Sequence, residues 1–365
     1  MFIIAFGTFK IYAKAEPEVY EEMLSDLDFN EMNGIIDKTG GLQNGDGFLD
    51  TAVKAIKGEL DLSLSGIASA LLEAMFREVK AFSGLMKELL AVALLSAVLG
   101  ALSGGLRVKS VGELGFYVCY IITVTLVLSS FADCMTVLGD FTGELCKLVI
   151  AAAPLMAGTL LASGNPSAAA VFNPAAMFAA GGLELIIRDI ATPLLIFSAI
   201  LKVVGNIAGG DTLGRLSELL KKCVSIGLKV LAGLFVGILS LQRASVPIID
   251  NAAVKTAKFA VNAIPAVGQA LTGAVDAVVY WSGAVKNGVM IAVIIAIFFM
   301  CLPAVLKMAA FVIIYKLTAA LAQPICDKRV ISAVDGAGSL AAVALGAAAL
   351  SAVVFIFMMM IMISI

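Results

Sequence analysis

Residues 336–365 read GAGSLAAVALGAAALSAVVFIFMMMIMISI, thirty consecutive residues without a charged side chain. A helix advances about 1.5 Å per residue, so roughly 20 predominantly apolar residues cross the hydrocarbon core of a bilayer. Lipid offers no partner to an unpaired peptide group, and a helix satisfies those groups internally. The stretch therefore predicts a membrane-spanning helix.

Similar apolar runs recur along the rest of the chain. The uncharged ones lie at 89–106, 114–131, 148–183 and 289–306, and runs with a single lysine lie at 190–208, 223–241 and 308–322. The whole sequence is 61% hydrophobic and 14% charged, whereas soluble domains average roughly 45–50% and 25%. We predict an all-α, polytopic helical membrane protein with about seven to nine crossings. Whether 168–190 and 308–323 are separate crossings is left open.

The first residues resemble an export signal. MFIIAFGTFKIYAKA (1–15) places a short apolar stretch before Ala13-Lys14-Ala15, the A-x-A pattern of a cleavage site. The stretch is too short to span a bilayer, which favours a secretory signal peptide. A short uncleaved anchor is the alternative.

An acidic region follows. Residues 16–61 carry twelve acidic and three basic side chains, a net charge of −9, whereas residues 62–365 carry fifteen acidic and twenty basic, a net charge of +5. Basic residues are retained on the cytoplasmic side and acidic ones are not. Residues 16–84 are therefore predicted to form a small helical extracytoplasmic domain, either packed on the membrane helices or offering a docking surface to a partner.

The charges between apolar runs predict an orientation for a first bundle at 85–242. Arg107 and Lys109 mark one cytoplasmic loop, and Arg215, Lys221 and Lys222 mark another. The segment 132–147, with Asp133, Asp140 and Glu144, is predicted to be an outside loop.

Two segments interrupt the apolar pattern. Pro166 and Pro174 fall between apolar runs and predict a helix break there. Residues 243–288, which include Pro265 and Asp276, are too polar to cross easily and predict an amphipathic or re-entrant segment. A second bundle at 289–365 follows.

Charges inside the predicted spans are costly unless they are paired or hydrated. Glu184 and Arg188 are four residues apart, a helical ion-pair spacing. Lys202 and Lys316 are long enough to reach the lipid head groups, and Asp276 lies in a weakly amphipathic stretch. These residues are candidates for structural and packing roles or for a proton or substrate path.

No catalytic, cofactor or metal site is predicted. The chain contains no histidine, which excludes Ser-His-Asp and Cys-His pairs and histidine-ligated zinc. Its six cysteines show no C-x-x-C spacing, and no phosphate-binding glycine motif is present. Nucleic acid is not an expected partner.

Four long segments, in this order, resemble the stage III sporulation protein AE family of endospore-forming Firmicutes. They are SGNPSAAAVFNP (163–174), TPLLIFSAIL (192–201), TAKFAVNAIPAVGQAL (256–271) and PAVLKMAAFVIIYKLTAALAQP (303–324). The resemblance implies a non-enzymatic subunit of the channel or secretion-like complex between mother cell and forespore, in the mother-cell membrane. It also implies partners from one operon: an ATPase, small membrane subunits and extracytoplasmic ring-forming proteins.

Two other functions remain as hypotheses. The broken apolar run at 148–183 and the intramembrane charges are also typical of an autonomous secondary transporter or permease. A membrane-embedded enzyme would need Asp276 and Glu184 as acid and base, and nothing in the sequence pairs with them.

Overall fold

The structure, a computed structural model, describes residues 64–105, 109–163, 165–208, 213–237 and 268–363. All regular elements in these ranges are helical, so the predicted all-α class is confirmed. The predicted signal at 1–15, the acidic residues 16–63 and Pro265 lie outside the described ranges. The helices are α1 (Leu64–Ala81), α2 (Ser83–Gly105), α3 (Lys109–Ala162), α4 (Pro166–Glu184), α5 (Thr192–Ala208), α6 (residues 213–237), α7 (Gly268–Ala322) and α8 (Lys328–Ile363).

Helix α3 overturns the predicted outside loop at 132–147. It continues for 54 residues, about 80 Å at 1.5 Å per residue. Leu138, Leu145 and Val149 recur at helical intervals and are fully buried. Asp140 lies on the opposite, exposed face. An amphipathic helix suits this pattern better than a loop, because one face packs on neighbours while the other carries the charges.

Helices α4 and α5 form one long rod that runs back along α3. Helix α3 ends at Ala162, and Pro166 occupies the first turn of α4, where a missing amide proton costs nothing. Pro174 lies inside α4, so the predicted break at that proline is wrong. A π-helical segment, Leu185–Ala191, joins α4 to α5, and Thr192 Oγ1 donates to Ile187 O at 2.9 Å. Pro193 lacks an amide proton, which favours this local widening.

Helices α7 and α8 form an antiparallel hairpin. Helix α7 passes through residues 288 and 308 without a break, so residues 308–322 of the segment 308–323 belong to the same helix as 289–306. The hairpin turn places Cys326 N 2.9 Å from Ala322 O, and Asp327 Oδ1 accepts the Arg329 amide at 2.9 Å. Burial, together with the Asp327 carboxylate, raises the pKa of the Cys326 thiol.

Small residues form much of the core. The buried face of α4 is largely alanine, and Ala341, Ala344 and Ala348 of α8 are fully buried. Such residues allow helix backbones to approach closely in a membrane protein.

Three described helices are long and apolar enough to span a bilayer: Leu114–Leu161, Val289–Ala322 and Lys328–Met360. The pair Leu72–Ala81 and Ser83–Leu99, bent by 46°, adds a fourth if it is one span. Phe82, at the bend, packs against Phe311 of α7 with ring centroids 4.4 Å apart. The described residues therefore do not confirm the predicted seven to nine crossings, because segments counted separately in the sequence are joined in continuous helices.

Candidate functional site

Three helix ends that are distant in sequence meet at one end of the bundle. Tyr120 of α3 donates its hydroxyl to Val203 O of α5 at 2.8 Å. The Arg329 guanidinium of α8 lies 5.8 Å from the centre of the Phe116 ring of α3. Asn206 of α5 donates to Arg329 O at 3.3 Å. The start of α3, the end of α5 and the start of α8 are thus held together.

A cavity of about 1000 Å³ opens between these ends and α6. We call it the basic cavity. Most of the charged residues that line it are cationic. They are Lys202, Arg215, Lys222, Lys328 and Arg329, and the one carboxylate in the lining is that of Glu218. Five positive charges and one negative charge give these residues a net charge of +4.

The walls of the basic cavity are fixed by local contacts. Ser198 and Ser217 are both buried, and each hydroxyl lies 2.8 Å from the other residue's carbonyl oxygen. This reciprocal pair joins α5 to α6, the two helices that contribute Lys202 and Lys222 to the cavity. Glu218 forms an ion pair with Lys221, with Lys221 Nζ 3.2 Å from Glu218 Oε2. The first turn of α8 contributes Lys328 and Arg329, at the positive end of the helix dipole.

A polar cluster lies beside the cavity, between α7 and α8. Lys316 Nζ is 2.7 Å from Asp335 Oδ1 and 2.7 Å from Ser339 Oγ. Deeper in the same helix pair, Tyr315 shares a buried 2.7 Å hydrogen bond with Ser130 of α3. Lys316 therefore has an ionic partner from the neighbouring helix, which its sequence position did not reveal.

Two glycines of α8 let lysine side chains cross that helix. A Cβ added to Gly336 would lie 2.8 Å from Lys202 Cγ, and one added to Gly338 would lie 3.0 Å from Tyr315 Cβ and 3.4 Å from Lys316 Cε. Lys202 and Lys316, predicted separately as intramembrane charges, thus meet the same short segment of α8 from two sides.

The other predicted site residues lie elsewhere. Arg188 Nη1 is 3.5 Å from Glu184 Oε1, the ion pair that the four-residue spacing predicts, and Glu184 faces Gly143 of α3. Pro166 and Pro174 are exposed on α4. The backbone of Asp276 belongs to α7, and its side chain is not among those described.

Sequence reasoning missed the basic cavity. Arg215 and Lys222 were used only to predict which side of the membrane their loop faces, and Lys328 and Arg329 were not singled out. The available signal was the presence of basic residues at three separate helix ends, but the sequence does not state that these ends converge. Among the described residues, no group of three histidine, cysteine, aspartate or glutamate side chains is placed to hold a metal ion.

The apolar helices and the small-residue core define a helical membrane protein with three or four candidate spans. The family described as Stage III sporulation protein AE matches residues 49–365. The chain belongs to the stage III sporulation protein AE family, which confirms the resemblance found in the sequence. Stage III sporulation protein AE of Bacillus subtilis (strain 168) is 28% identical over 334 residues, covering 89% of this chain and 82% of that protein. No solved structure matches the chain.

Proposed function

We propose that this protein is a non-enzymatic membrane subunit of the channel or secretion-like complex that joins the mother cell to the forespore. The family match over residues 49–365 carries the proposal, because it ties the membrane helices to endospore formation. The partners we propose are an ATPase, small membrane subunits and extracytoplasmic ring-forming proteins. The protein would lie in the mother-cell membrane.

The proposed topology keeps the multiple crossings expected from the sequence and places the acidic region at 16–84 outside the cytoplasm. The convergence of helix ends supports this orientation. Lys202, Arg215, Lys222, Lys328 and Arg329 all line one cavity at one end of the bundle. Basic residues of this kind are retained on the cytoplasmic side.

A role without catalysis is supported by the way the charged groups are used. Lys316 pairs with Asp335, and Glu184 pairs with Arg188. The first of these pairs joins two helices, and the second lies along one stretch of helix, so both have a structural use. Membership of a sporulation family does not favour the autonomous transporter.

Deletion of the gene in an endospore-forming host tests the proposal. We expect unchanged vegetative growth and arrest of spore maturation after engulfment begins, with small or collapsed forespores. Microscopy and counts of heat-resistant spores measure this outcome, and the full-length gene supplied in trans should restore it. Normal spore counts in the deletion strain, or solute transport by the purified protein alone in liposomes, would contradict the proposal.

A further inference from the structure

We propose that the basic cavity binds the phosphate groups of an anionic phospholipid, and that a lipid with two phosphates, such as cardiolipin, fits it best. This goes beyond the proposed function. It is argued from the charge, the volume and the rim of the cavity.

The charge of the lining favours an anion. Besides Arg215, which already has an interaction partner, the cavity is lined by Lys202, Lys222, Lys328 and Arg329 and by one carboxylate, Glu218, which forms an ion pair with Lys221. Cations that line one cleft raise the positive potential inside it, and this potential attracts anions. Phosphate oxygens accept strong charge-assisted hydrogen bonds from lysine and arginine. The amino-terminal end of α8 adds a further partial positive charge.

The rim distinguishes a lipid from a free phosphate. Leu219 and Ile226 line the cavity, yet they are 55% and 58% exposed. Ile200 and Val204 are exposed on the adjoining turns of α5. Apolar side chains beside cationic ones suit an amphiphile whose phosphates enter the cavity and whose acyl chains follow the rim. A free phosphate would gain nothing from them.

The size and position of the cavity agree with a lipid head group. About 1000 Å³ is at the upper end of the range for sites that hold drug-sized ligands, and far exceeds the needs of one inorganic phosphate. The candidate span Lys328–Met360 begins at the cavity, which places the cavity where a head group would lie. Basic pockets between transmembrane helices bind cardiolipin head groups in this way.

Native mass spectrometry on the full-length protein in neutral detergent, stripped of lipid, tests the proposal. The probes are cardiolipin, phosphatidylcholine and inorganic phosphate. We expect cardiolipin to bind more tightly than phosphatidylcholine, and more weakly as salt rises. The variants Lys222→Gln and Lys328→Gln should each weaken cardiolipin binding about fivefold. Lys147→Gln, the same change on an exposed α3 residue outside the cavity, should leave binding unchanged.

Lys222 and Lys328 are exposed, so their variants should fold, and melting midpoints in lipid-free detergent check this. Equal binding of cardiolipin and phosphatidylcholine would overturn the proposal. So would unchanged cardiolipin affinity in a folded Lys222→Gln/Lys328→Gln variant. Displacement of cardiolipin by inorganic phosphate at a similar concentration would assign the cavity to a free phosphate compound instead. None of these results would alter the sporulation phenotype that tests the proposed function.

Discussion

Gly338 and Gly336 determine how closely α8 approaches its neighbours. At Gly338 a methyl group would meet Tyr315 Cβ, an atom next to the backbone that cannot rotate away. The Tyr315 ring is itself fully buried and hydrogen bonded to Ser130. The contact between Gly338 and Tyr315 is therefore rigid, because neither α8 nor Tyr315 can shift without moving the other.

We expect Gly338→Ala to destabilise the protein by about 1–3 kcal/mol, because overpacking shifts α7 away from α8. The matched control is Gly346→Ala in the same helix, where nothing lies within 4 Å of an added Cβ. That change should be neutral or stabilising by up to about 1 kcal/mol, since alanine favours helix over glycine. The free energy of unfolding of each purified variant, measured in mixed detergent, gives both effects. Equal effects of Gly338→Ala and Gly346→Ala would show that α7 and α8 do not approach closely at Gly338.

At the scale of elements, continuity of the helices distinguishes the fold from a simple series of crossings. Helix α3 keeps one face buried through the charged segment 132–147, because α4 and α7 pack on that face. Cys146 donates its thiol to Ala180 O of α4 at 3.2 Å, within this segment. The charges of the segment lie on the surface of the helix, where they do not disturb its packing.

Helix continuity predicts contrasting effects at two nearby positions. Leu138→Ala should destabilise the protein by about 2–5 kcal/mol, because Leu138 is fully buried. Thr136→Ala, on the exposed face two residues earlier, should change stability by about 0.5 kcal/mol or less. The same unfolding assay compares them. Small effects at both positions would favour an exposed loop and contradict the continuous helix.

For the whole molecule, the length of α3 is enough to place the basic cavity and Asp140 on opposite sides of a bilayer. Residue 140 lies 26 residues beyond the start of the candidate span at Leu114, about 39 Å along the helix. The hydrocarbon core is about 30 Å thick. In the proposed orientation, with the basic cavity at the cytoplasmic face, Asp140 would lie on the other side of the membrane.

Cysteine labelling tests this orientation in a variant without native cysteines. Asp140→Cys should react with a membrane-impermeant thiol reagent on intact cells, whereas Lys221→Cys and Lys328→Cys should react only after permeabilisation. Asp46→Cys, in the acidic region, should behave like Asp140→Cys. Labelling of positions 140 and 221 from the same side would contradict the topology, and protection at 46 with labelling at 221 would reverse it.

The sequence alone determined the helical class, the membrane environment and the family. Each depends on properties carried locally along the chain: long uncharged runs such as 336–365 and extended matching segments such as 303–324. The excess of basic residues near 107–109 and 215–222 also indicated an orientation before any contact was known.

Only the tertiary structure decided where helices continue and which charges meet. A segment such as 132–147 becomes helix or loop according to whether its apolar face finds neighbours to pack against, since packing supplies most helical stability. Lys316 and Asp335 are close in space because α7 reverses into α8. The basic cavity forms because three distant helix ends converge, and a sequence records each end without recording their proximity.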